Sequence, residues 1–92
     1  MAPVPPDLAT SRAVIDEIDH ALLDLVARRR SLVAALFAKK RALGLPLVDP
    51  AREVELLADR RAEAERRAVP PELAEEIFRA ILEDSHRRGE GL

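Results

Sequence analysis

"SRAVIDEIDHALLDLVARRRSLVAALFAKKRALG", residues 11–44, decides the fold. Between Asp7 and Leu43 there is neither Gly nor Pro, so no residue in that span breaks a helix. Pro5 and Pro6 precede the span and Asp7 is placed to cap it; Gly44 and then Pro46 end it. A helix of about 36 residues is roughly 54 Å long at 1.5 Å per residue. That exceeds what a compact domain of this size accommodates. At about 100° per residue, Ile15, Ile18, Leu22, Leu25, Leu32, Val33, Leu36 and Leu43 share one stripe. Two cations lie inside it. Arg29 and Lys40 are eleven residues apart and so differ by only about 20° around the axis, with Arg12 near the stripe's edge.

Downstream, Asp49-Pro50 reads as an N-cap followed by proline at the first helical position. A second helix is expected from there to about Ala68, with Val54, Leu57 and Ala64 inward. Pro70-Pro71 opens a third, carrying Ala74, Ile77, Phe78, Ile81 and Ser85 at helical spacing and fraying into "RRGEGL". Two short helices do not cover a long amphipathic rod. The expected fold is therefore all-α: three helices per chain, one very long N-terminal helix and two shorter ones, in an intertwined homodimeric helical bundle. The domain is expected over residues 8–88, between a flexible Pro-rich N-terminus (1–7) and a flexible C-terminal tail (89–92).

Composition narrows the function. The chain has 92 residues, 35% of them charged and 48% hydrophobic, as suits a helical globular domain. It has no Cys, so disulfide frameworks and thiolate metal sites are excluded, and His20 and His86 are too separated for a metal site. A net charge of −2 supplies no positive field for nucleic acid or a membrane. Basic runs such as "RRAEAERR" (60–67) are interleaved with glutamate, and no aromatics are placed to stack on bases. "MAPVPPDLA" does not read as a signal peptide, and no stretch nears the roughly 20 apolar residues of a membrane span, so a cytoplasmic location is expected.

A single Arg or Lys in an apolar stripe often snorkels, its stem on apolar surface and its charge in water. Several cations in a bundle core are costly unless an anion offsets them. Arginine forks suit carboxylates and lysine supplies a point charge, so the pattern points equally to a small dicarboxylate ligand.

"SRAVIDEID" (11–19), "LLDLVARRRSLV" (22–33), "AKK" (38–40), "GLPLVDPAREVELL" (44–57) and "FRAILEDS" (78–85), in this order and spacing, resemble the all-helical chorismate mutases, which are intertwined homodimers. The resemblance runs from about Leu8 to Ser85. It implies the rearrangement of chorismate to prephenate in Phe and Tyr biosynthesis, a pericyclic step that requires no nucleophile, metal or cofactor. Arg12 from the partner subunit would bind one substrate carboxylate. Arg29 would grip a carboxylate from its own chain. Lys40 would bind the ether oxygen, and Arg29 and Lys40 would be the catalytic pair. Glu53 would hold the ring hydroxyl, with Asp49 and Arg52 at the same helix start. Ser85 would contact a carboxylate from helix three. The bland reading of each remains: solvated arginines at 12 and 52, a cap at 49, a helix-dipole glutamate at 53, a small packing residue at 85.

The match departs from the family pattern at one place. Members carry a Gln or Glu one turn after the matching serine, giving a second hydrogen bond to the ether oxygen; here that position is Gly89. Glu90 would substitute only if protonated, favouring acidic pH, and Arg88 on the inner stripe offers a cation instead. The departure leaves rate, pH dependence and exact substrate open. The resemblance also admits an activating partner, the first enzyme of the shikimate pathway. Related activities are isochorismate-pyruvate lyase and 4-amino-4-deoxychorismate mutase; a non-catalytic helical dimer with a regulatory or interaction role is the reading of another class.

Overall fold

The computed structural model describes residues 5–90, the side chain of Glu90 excepted. Three helices follow one another: α1 (Pro6–Ala42), α2 (Pro50–Arg66) and α3 (Pro71–Glu90). No strand occurs among the described residues, so the all-α expectation holds. Helix α1 starts at Pro6, one residue before the expected cap. Its first turn is bound by the Ala9 N–H donating to the Pro5 carbonyl at 2.9 Å, and Asp7 lies inside that turn, where a carboxylate suits the positive helix end. At the other end Gly44 takes φ +69°, the Leu45 N–H bonds the Lys40 carbonyl (2.8 Å), and the Gly44 N–H bonds that of Arg41 (3.1 Å). This is a Schellman closure, and the left-handed position is the one glycine fills without strain.

The chain divides into two units, Met1–Ala34 and Ala35–Leu92. The first is the N-terminal part of α1. Ile15, Ile18, Leu22, Leu25 and Leu32 of its apolar stripe are all more than half exposed. The second unit holds the end of α1, the connection and the α2–α3 hairpin, and it contains the core. Phe37, Leu56, Ala64 and Ala74 are its buried apolar residues. Ala64 and Ala74 flank the α2–α3 turn, where small side chains let two helices approach.

On α2, Ala64 is buried and Leu57 half-buried as expected, but Val54 is 70% exposed, and Glu53, Leu56 and Arg60 extend the inner face in its place. Helix α2 also ends earlier than expected, at Arg66, with a second Schellman closure. The Val69 N–H donates to the Ala64 carbonyl (2.9 Å) and the Ala68 N–H to that of Glu65 (3.2 Å), with Ala68 itself at φ +57°. On α3, Ala74, Phe78, Ile81 and Ser85 lie inward as expected, while Ile77 is 47% exposed. Helical backbone continues through Gly89 to Glu90, beyond the point where fraying was expected. The Arg60 guanidinium lies 5.3 Å from the Phe78 ring centre, and Arg61 reaches Glu72 and Glu75 across the hairpin at 3.7 and 3.9 Å. Exposed ion pairs of this kind contribute about 0–1 kcal/mol each.

Candidate functional site

Asp49 begins the site from the sequence side. Its backbone is extended (φ −121°, ψ 96°) and its carboxylate accepts the Arg52 N–H at 3.1 Å, while Pro50 occupies the first helical turn. Asp49 is thus an N-cap, satisfying one of the orphan donors at the start of α2. The cap fixes where α2 begins and therefore which way its first turn faces. Arg52 points to solvent, and Glu53, one residue on, faces α3.

Lys40 approaches from the last turn of α1. Its ammonium donates to the Leu47 carbonyl at 3.1 Å and lies 6.0 Å from the Phe37 ring centre. The connection Leu43–Asp49 therefore folds back over the helix end, and its backbone holds the Lys40 head. The residue is half-buried. An ammonium carries three donors, so the bond to Leu47 engages one of them.

The C-terminal turn of α3 meets both. The His86 Nε2–H donates to the Glu53 Oε2 at 2.6 Å, linking α3 to the first turn of α2. Three residues on, a Cβ added at Gly89 would meet Phe37 Cε2 at 3.3 Å and Leu47 Cδ1 at 3.5 Å. The exposed Arg41 guanidinium donates to the Gly89 carbonyl at 3.4 Å. Ser85 is 8% exposed, and its hydroxyl donates to the Ile81 carbonyl one turn back, at 3.1 Å. Within the second unit, the ends of all three helices converge: Lys40 with Phe37 and Leu47, Glu53 with His86, and Ser85 and Gly89 on the turn between. Asp49 and Arg52 border this cluster on exposed backbone. Arg12 and Arg29 belong to the first unit, where Arg12 is exposed and Arg29 half-buried. No group of metal-ligating side chains occurs among the described residues.

The family model described as Chorismate mutase type II matches residues 11–90. The chain belongs to that family. Two T-proteins are similar to it, one from Enterobacter agglomerans (45% identical over 80 residues) and one from Haemophilus influenzae (36% over 75 residues). These alignments cover 87% and 82% of this chain but only 21% and 20% of the T-proteins, so the chain spans about a fifth of their length. A protein named chorismate mutase from Methanocaldococcus jannaschii is 36% identical over 76 residues, covering 83% of this chain and 77% of its own. No solved structure matches the chain.

Two residues of the cluster have no site role in the sequence reading. Phe37 is the buried side chain of α1, although it lies beside the stripe rather than on it. His86 was weighed as a metal ligand and set aside, yet it is the partner of Glu53. The available signal was its place directly after Ser85, on the side of α3 that packs on α2.

Proposed function

We propose that the domain rearranges chorismate to prephenate. The observation that supports this best is the held Lys40 ammonium, half-buried at the helix ends where Glu53 and Ser85 also gather. The reaction is intramolecular: the ether C–O bond breaks as a new C–C bond forms, and the ether oxygen gains negative charge. A cation fixed beforehand by the Leu47 carbonyl stabilises that charge without solvent reorganisation. Glu53 accepts the ring hydroxyl, Ser85 hydrogen-bonds a carboxylate, and Asp49 and Arg52 shape the rim. Arg29 grips a carboxylate from its own chain, and Arg12 reaches in from a partner subunit. Together they hold the enolpyruvyl arm over the ring, which converts a floppy substrate into a near-attack conformer.

This reading requires a homodimer. The exposed stripe Ile15, Ile18, Leu22, Leu25 and Leu32 is the surface that pairs. The larger T-proteins leave room for further domains or an activating enzyme as partners. No helix among the described residues is long and apolar enough to cross a membrane, in keeping with a cytoplasmic biosynthetic role.

The test is turnover of chorismate by the purified protein between pH 5 and 8, with prephenate quantified by NMR. Loss of one preorganised donor lowers kcat by roughly 10²–10³-fold, and Lys40→Ala is expected to show that loss. Activity retained in Lys40→Ala would remove the mechanism. Turnover of isochorismate or 4-amino-4-deoxychorismate in place of chorismate would reassign the substrate. No turnover of any of the three would leave a non-catalytic helical dimer.

A further inference from the structure

We propose that His86 is a positioning residue for substrate recognition, acting through Glu53. The inference rests on the mutase reading for the role of Glu53. The geometry comes from the packing of α2 against α3. Glu53 lies in the first turn of α2, fixed by the Asp49 cap and by Leu56 one turn later, which is 5% exposed. His86 lies on α3, next to buried Ser85. Both side chains are partly shielded, at 34% exposure for His86 and 25% for Glu53, and their 2.6 Å contact spans 33 residues of sequence.

A glutamate in the first turn of a helix has three rotatable torsions and, left alone, samples several rotamers. The bond from His86 Nε2–H to Oε2 selects one of them. A carboxylate accepts through two oxygens and about four lone-pair sites. Engagement of Oε2 therefore leaves Oε1 its own capacity to accept a ring hydroxyl, now in a fixed direction. His86 touches no reacting atom. It supplies orientation, and it replaces with a side-chain partner the water that would otherwise solvate one carboxylate oxygen.

The ring hydroxyl does not change charge along the reaction, so Glu53 binds ground state and transition state alike. A defect in orienting it appears in KM rather than kcat. The experiment is steady-state kinetics with chorismate on wild type, His86→Leu and His86→Gln. Leucine removes the donor; the glutamine amide places a donor near the position of Nε2. His86→Leu is expected to raise KM about tenfold with kcat within about threefold, the size of one lost oriented hydrogen bond. His86→Gln is expected to return KM to within about threefold of wild type. An unchanged KM in His86→Leu, a loss confined to kcat, or a glutamine variant no better than leucine would each overturn the proposal.

Inactive wild-type protein would instead refute the mutase reading, and the pair would still be readable by NMR. The chain has only two histidines, so His20→Ala assigns the His86 imidazole resonances. Those resonances shift in Glu53→Gln if the pair forms in solution and stay in place if it does not. The NMR arm also serves if His86→Leu fails to fold.

Discussion

Ala68→Gly is expected to stabilise the protein, and the size follows from one torsion angle. Ala68 closes α2 at φ +57°, the left-handed position of a Schellman closure. For a residue with a Cβ this conformation costs about 1–2 kcal/mol. Glycine avoids that cost but loses more chain entropy on folding, about 0.5–1 kcal/mol. The difference favours glycine by about 0.5–1 kcal/mol, and Ala68 is exposed, so no packing is lost with its methyl. At about 4–8 °C per kcal/mol for a domain of this size, Tm rises by roughly 2–8 °C. The assay is thermal unfolding followed by circular dichroism at one fixed protein concentration, because association would otherwise move Tm. Ala62→Gly is the internal control. Ala62 is exposed in the body of the same helix, where the substitution costs about 0.5–1 kcal/mol. The same chemical change six residues apart should therefore have opposite signs. Equal destabilisation by both glycines would refute the reasoning, since it would mean that Ala68 does not hold the left-handed conformation in solution.

Asp49→Ala is expected to lower stability by about 1 kcal/mol through loss of the cap on Arg52, and Asp49→Asn to retain most of it, both read from denaturant midpoints at constant m. Phe37→Ala removes the buried ring of α1 and should cost about 3 kcal/mol, measured by chemical denaturation. Leu25→Asp places a charge in the exposed stripe; sedimentation is expected to show the proposed dimer for the wild type and a monomer for the variant, with turnover lost in parallel.

Helix number and type were readable because the signals are local. Proline pairs, the Asp49-Pro50 start and Gly44 each act within a turn, and the structure has helices where they predict them. The inner faces were harder. Val54 fits the expected inner face as well as Leu56 does, because hydrophobic residues crowd that stretch of α2 in more than one direction, and only packing against α3 selects among them. Ala68 misled for the opposite reason: alanine is a good helix former, so nothing in its identity announces a left-handed residue. At the candidate site, Lys40 was marked by its place inside the apolar stripe, while Glu53 was pointed to only by the family resemblance. The carbonyl that holds Lys40 and the imidazole that holds Glu53 were not legible, since both contacts depend on how a loop and a third helix return.

The meeting of Phe37 with Gly89 constrains the routes this sequence can take through mutation. The ring edge lies 3.3 Å from where the Cβ of a side chain at position 89 would stand, a tight contact. Introducing Gln at 89 first requires the ring to give by a few tenths of an ångström, and where it does not, overpacking costs about 1–3 kcal/mol. Shrinking Phe37 first opens a void, at a comparable or larger cost. Positions 37 and 89 are in contact and are therefore expected to be coupled, by about 0.5–3 kcal/mol in a double-mutant cycle. The room for an amide at the end of α3 thus depends on how far a ring fifty-two positions away in the chain can shift.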